Sequence, residues 1–248
     1  MRRCYFLFLI LVCMSSADML YAQIGRPRAV EIGLFAGPTI DWSSTGTRGY
    51  NNAGIRLGGV YGLNVDINLA QTSSNYFFST GVNARHIRYG FKFTDNYIYK
   101  DVTTGDEQTI ERAEVVSTFT TTYVSLPTAI KLKTNEFGRF VVFGLVGLEH
   151  GIAVSSKSND EVTDVMNART MKKTEKNDHY KHTAIFKESL YIVLGTEYII
   201  QDQTKITFGL GYDHGFNNMF RKKYTNTITS EAVNIHTHRI EFQFGVIF

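Results

Sequence analysis

Cysteine is almost missing from this chain: Cys4 and Cys13 are its only two in 248 residues, and both fall within the first 23. If that segment is removed, no disulfide framework, thiolate metal site or cysteine nucleophile remains. Proline occurs three times, at Pro27, Pro38 and Pro127, too rarely to punctuate a chain into several domains. Excess charge of one sign is missing too. Without Arg2, Arg3 and Asp18 the 26 basic and 23 acidic residues become 24 and 22, a formal +2, which gives no electrostatic footprint for nucleic acid. Finally, beyond the first 23 residues no apolar run approaches the roughly 20 residues of a membrane helix, the longest being 140–148. A chain of this kind can cross a membrane only as a closed barrel.

The N-terminus reads as a signal peptide over residues 1–22. Arg2 and Arg3 form the charged start, residues 4–13 the apolar run, and Leu20-Tyr21-Ala22 followed by Gln23 the cleavage site between Ala22 and Gln23. Lipid attachment at Cys13 is disfavoured, because the bulky Leu11-Val12 precedes it where small residues are needed. Residues 23–248 then form one domain.

What the mature chain has in quantity is alternation. In the last stretch Ile240, Phe242, Phe244, Val246 and Phe248 make an apolar row against Arg239, Glu241, Gln243 and Gly245. This is the period of a strand. Residues 55–69 repeat the pattern, with Ile55, Leu57, Tyr61, Leu63, Val65, Ile67 and Leu69 opposite Arg56, Gly58, Gly62, Asn64, Asp66 and Asn68; glycines among charges suit a narrow lumen better than a wet exterior. Eight such strands can be read. In the third, the apolar parity switches near Arg85 and His86, which predicts either a bulge or a strand that runs past the membrane into solvent. Pro127 in the fourth predicts a local irregularity, and the fifth, apolar on both rows, has an ambiguous facing.

The connections sort by length. Long polar ones (41–52, 94–114, 155–183, 217–233) follow strands one, three, five and seven, and short turns follow two, four and six. The expected fold is therefore all-β: an eight-stranded antiparallel up-and-down transmembrane β-barrel with short periplasmic turns, long extracellular loops and both termini periplasmic.

Two resemblances add to this reading. The closing strand resembles the C-terminal signal of bacterial outer-membrane barrels, which implies that Phe244 and Phe248 are read by the barrel-assembly machinery. The order of Ile32-Gly33-Leu34-Phe35-Ala36-Gly37-Pro38, Tyr123-Val124-Ser125-Leu126-Pro127-Thr128-Ala129-Ile130-Lys131-Leu132-Lys133, Phe208-Gly209-Leu210-Gly211-Tyr212 and the final Phe-x-Phe-Gly strand resembles the PorT-like outer-membrane β-barrel family of Bacteroidota. That resemblance implies an anchor or component of a protein secretion machinery, the type IX secretion system of the family's namesake, with other secretion proteins as partners. A surface-binding protein acting through its loops, a small channel and a lipid-modifying enzyme are the alternatives.

The inward rows carry Glu31, Arg56, Asp66, Arg85, Lys131, Glu149, Glu197, Asp213, Arg239 and Glu241. In an eight-stranded lumen they are expected to pair as a salt-bridged plug rather than line an ion path, with Arg56, Asp66, Lys131, Glu197, Arg239 and Glu241 as the cluster. The histidines suggest no catalytic set: Asp213 and His214 are adjacent and face opposite ways, and no serine sits in a nucleophile elbow. His236 and His238, two apart, could share a metal with a loop ligand, but read as rim residues. No enzyme activity, metal or cofactor is expected. Lys172, Lys173, Lys176 and Lys181 suit lipopolysaccharide, which with membrane lipids completes the expected partners.

Overall fold

The computed structural model describes residues 28–70, 73–100, 107–164, 169–201, 204–221 and 233–248. The leader and the Ala22/Gln23 pair lie outside the described residues. Eight long strands make up the body: β1 (Val30–Thr45), β2 (Arg56–Asn68), β3 (Tyr76–Lys100), β4 (Glu107–Lys133), β5 (Phe140–Asp164), β6 (Phe186–Gln201), β7 (Thr204–Gly215) and β8 (Ile235–Ile247). Each pairs antiparallel with its sequence neighbour, and β8 pairs back onto β1, so the sheet closes on itself. Closure leaves no sheet edge to lipid, which is what lets strands span a bilayer.

Alternation decides the facing of every strand. Val30, Ile32 and Leu34 point outward while Glu31 and Phe35 are buried; Tyr76 and Val82 point out while Phe77, Ser79 and Asn83 are buried; Ile206, Phe208 and Leu210 oppose Thr207 and Asp213. The facing of β5 is now fixed, with Val141, Phe143 and Glu149 inside and Val142, Val146 and Leu148 outside. The outward apolar row of β1 runs from Val30 to Ile40. At about 3.3 Å per residue and a tilt of about 40° it spans roughly 25 Å, the height of a lipid-facing band. Phe140 and Tyr198, with ring centroids 5.0 Å apart, mark its short-turn end, and Trp42 and Tyr212, 6.5 Å apart, its long-hairpin end.

The parity switch at Arg85 and His86 is no bulge. The inward row of β3 stays on odd residues from Phe77 through Phe93, and the register to β4 holds until Asp95. What inverts is the chemistry. Up to Arg85 the inward row is largely polar and the outward row apolar; from Ile87 on, Ile87, Tyr89, Phe91 and Phe93 point inward, and Arg88 and Lys92 point out. β3 has left the lipid and continues as the wall of a water-facing barrel.

Three of the segments read as long polar loops, 41–52, 94–114 and 155–183, are therefore largely strand in their described residues. β3 and β4 carry their ladder out to Lys100 and Glu107, and β5 runs to Asp164 and pairs with a further strand, Arg169–Asp178, within the supposed 155–183 loop. β1 likewise continues past Pro38 to Thr45. The irregularity at Pro127 appears as a break in the β3 ladder, between Ser79↔Ala129 and Asn83↔Ser125, with the register resuming unchanged. At Gly37, next to Pro38, β8 passes so close that a Cβ would collide with the Phe242 carbonyl, and only glycine fits.

Candidate functional site

The lumen is filled in two storeys. Near the short turns Lys131 lies 2.7 Å from Asp66 and 2.8 Å from Glu197, Lys133 reaches Glu31 and Glu197, and Lys205 lies 2.8 Å from Glu31. Ser79 adds a hydrogen bond to Asp66 at 2.6 Å. Three lysines thus meet three carboxylates drawn from β1, β2, β4, β6 and β7. Phe143 and Phe77 lie under the Lys131 and Lys133 ammoniums, each 4.5 Å from ring centroid to nitrogen.

Above this, Arg85 pairs with both Glu149 and Glu241, Arg239 Nε lies 3.1 Å from Asp41, and Lys187 lies 2.8 Å from Asp213. The Tyr191 hydroxyl donates to Glu241 at 2.7 Å and the Ser189 hydroxyl to Asp213 at 2.7 Å. These charges are all but inaccessible, so each depends on its partners rather than on water. Between the storeys lies a cavity of about 20 Å³, lined by Asn64, Ser79, Asn83, Lys131 and Gln243 among others, which is room for about one water.

Of the expected cluster, Asp66, Lys131 and Glu197 meet in the lower storey, and Arg239 and Glu241 in the upper. Arg56 joins neither. It sits half-buried at the rim, beside Asp160 and Glu161, and its guanidinium donates to its neighbour's carbonyl, Ile55 O, at 3.5 Å. It is the first residue of β2 and pairs in the ladder with Asp41 of the upper storey, yet its side chain lies with Val116, Thr118 and Glu161 instead of in the lumen. Asp41, Lys133, Lys187 and Lys205 are further members, of which Asp41 falls in the stretch 41–52 expected to be a loop.

Over the charges sits an apolar core of Ile87, Tyr89, Phe91, Phe93, Val115, Phe119, Tyr123, Val162, Met219, Phe220 and Ile235. Phe91 and Phe119 stack at 5.2 Å, and Phe220, from the segment after β7, meets both edge-on. Burial pushes the Tyr89 phenol up from its ordinary value. His179 packs against Phe119 at 4.8 Å and Phe220 at 5.6 Å; burial, with neighbouring His182, pulls its pKa down to about 4, so the ring is neutral at pH 7.

On the outer face Asp213 turns inward to Lys187 and His214 outward, where His214 Nδ1 lies 3.1 Å from His238 Nδ1. His238 also meets the Tyr212 hydroxyl at 3.1 Å and Ser44 Oγ at 2.9 Å, and stacks on Trp42 at 5.5 Å. Among the described residues no group of three or more His, Cys, Asp or Glu side chains is placed to hold a metal ion. Lys176 and Lys181 are exposed; Lys172 and Lys173 lie on the strand paired with β5.

One histidine joins a set that the sequence reading did not assemble. His150, on the outward row of β5, has Nδ1 2.5 Å from Glu188 Oε2 and Nε2 3.0 Å from Thr128 Oγ1. A signal for this set exists in the sequence: each of the three interrupts an outward apolar row, Thr128 between Leu126 and Ile130, His150 between Leu148 and Ile152, Glu188 between Phe186 and Leu190.

A closed antiparallel barrel with an apolar outer belt and a charge-filled lumen is a membrane-spanning β-barrel. The family model of the outer membrane protein beta-barrel domain matches residues 21–221, and the chain belongs to that family, which places it in the outer membrane. No curated protein matches the chain. Among solved structures it is similar to Neisserial surface protein A, at 12% identity and a TM-score of 0.39 over 90% of this chain and 98% of that one. It is similar also to Ail, the attachment invasion locus protein of Yersinia pestis, solved with the heparin analogue sucrose octasulfate, at 13% identity and a TM-score of 0.36 over 89% and 100%. The outer membrane protease OmpT of Escherichia coli aligns at 11% identity and a TM-score of 0.38 over 92% and 99%.

Proposed function

We propose that this outer-membrane barrel is a sealed anchor whose working surface is the β-structure standing beyond the lipid belt, and that it serves a protein secretion machinery, as the PorT-like resemblance implies. In this reading both termini are periplasmic, the long hairpins lie outside the cell, lipopolysaccharide surrounds their base, and the assembly machinery inserts the chain through its Phe244 and Phe248 strand. The role needs no catalysis in the lumen and no cofactor.

The observation that carries it is the double filling of the lumen. Ion-paired storeys and an apolar core leave no room for a substrate or a hydrated ion, so function falls to surfaces that meet partners. The hairpins formed by β3, β4, β5 and Arg169–Asp178 supply such a surface, already ordered by ladder hydrogen bonds, so little entropy is lost when a partner docks. Deleting the gene should trap type IX cargo in the periplasm while membrane integrity is kept, and the intact chain should restore export. Normal cargo export in the deletion strain would remove the secretion role and leave surface binding through the same hairpins.

A further inference from the structure

Thr128, His150 and Glu188 face lipid, where a polar or ionisable side chain is costly and marks function by default. The register explains how they meet. Leu126, His150 and Glu188 are directly opposed across β4, β5 and β6, and Thr128 is diagonal to His150. The backbone around Glu188 is fixed from the far side, its amide donating to Asn217 Oδ1 at 2.9 Å and its carbonyl accepting from the Phe216 amide at 2.8 Å. With Glu188 accepting from His150 Nδ1–H, the Nε2 lone pair faces the Thr128 hydroxyl. Hydroxyl, imidazole and carboxylate in this order are the parts of an activated nucleophile, recognised by geometry whatever the fold.

The site's height also fits. Above it the outward face stays apolar through Val124, Ile152, Val154 and Phe186 before Thr122 and Ser155, so it lies within roughly 10 Å of the belt's upper boundary, on the side where acyl esters meet the hydrocarbon. The His150 and Glu188 side chains are 40% and 42% exposed, open to the lipid phase.

We propose that Thr128, His150 and Glu188 form an acyl-ester hydrolase site on the outer wall of the barrel, acting on an acyl chain of a glycerophospholipid in the surrounding leaflet. Thr128 Oγ1 attacks the ester carbonyl carbon as His150 Nε2 takes its proton; the C–O bond to the lysolipid breaks and that alkoxide leaves with the proton from His150. Water then attacks the acyl-threonine, giving its proton through His150 back to Thr128, and a fatty acid is released. Thr128 and His150 are catalytic, and Glu188 is a positioning residue that holds the ring and balances its transient charge. Interior strands commit their amides to the ladder, so the oxyanion meets no backbone donor and turnover is expected about 10² to 10³ below triads with built donors. This activity is separate from the anchoring role and does not rest on it.

The test uses the full chain in vesicles of phosphatidylethanolamine carrying a fluorescent acyl chain, with a long-chain alkyl fluorophosphonate as covalent probe. The expected result is slow fatty-acid release and a phosphonate adduct on Thr128, both lost at least a hundredfold in Thr128→Ala and His150→Ala variants that keep the heat-modifiable gel shift of a folded barrel. Thr128→Ser should retain both, and Glu188→Gln should lower kcat with KM unchanged. Release that survives in folded Thr128→Ala, or a wild-type chain that neither hydrolyses lipid nor takes the probe, overturns the proposal and leaves three polar groups that merely satisfy one another in lipid.

Discussion

Arg85 and Ile87 stand two residues apart on the inward row of β3 and belong to opposite worlds. Arg85 is locked between Glu149 and Glu241, and Ile87 is packed into the apolar core with Tyr89 and Phe91. Below this step the barrel is built for lipid, apolar outside and charged within; above it the barrel is built for water, with the faces exchanged. The boundary also marks where the lumen closes a second time.

Arg85 should be the costliest lumen residue to truncate. Arg85→Ala strands two buried carboxylates, at about 3 to 5 kcal/mol for a broken buried pair. Unfolding in urea from vesicles should show that loss, and Arg85→Met combined with Glu149→Gln and Glu241→Gln should recover most of it.

Planar bilayers containing the purified chain should show no steady conductance at neutral pH. The lysine and arginine storeys and the Phe91, Phe119 and Phe220 cap each close the path. A reproducible ion-selective pore would restore the channel alternative.

The platform should loosen in acid through His179. Its ring titrates near 4 when packed against Phe119 and Phe220, against an ordinary value of about 6.5. Between those values the open form binds the proton and the packed form does not, so packing is full above about 6.5 and weakens as pH falls towards 4. Of the neighbouring groups, His182 adds to the effect and Asp160 and Asp178 oppose it. Protection factors of residues 155–164 and 169–183, normalised to intrinsic exchange at each pH, should be lower at pH 5 than at pH 7, and His179→Gln should flatten the difference.

Phe244 and Phe248 both face outward, 54% and 52% exposed, so their removal costs no lumen packing. Replacing both with Ser should reduce the folded protein in the outer membrane several-fold. Normal amounts after the change would show that the assembly machinery does not depend on them.

The lipid-spanning half was legible because its signal is strictly local. Period two in β2 and β8, and turns sorted by length, fix strand number, facing and closure without any long-range information. The upper half was not. Its inward residues are spaced among polar outward ones, as in β5 where the inward Ser156 and Ser158 alternate with the outward Lys157 and Asn159, and such a stretch is indistinguishable by composition from a solvated loop. Arg56 was misplaced because it opens β2, and at the first residue of a strand alternation does not fix where a long side chain goes. Thr128, His150 and Glu188 lie on three strands, and only the register shows which outward residues touch.

The central claim, that the chain works through the surface beyond the belt, is tested most directly by site-specific photo-crosslinking in intact cells. Probes at Lys92, Lys157 and Lys181, all exposed above the belt, should capture a discrete protein partner, whereas probes at Val82 and Leu210 in the belt should capture lipid. Capture only from short-turn positions such as Ser74 and Asn135, or from none of the platform sites, would contradict it.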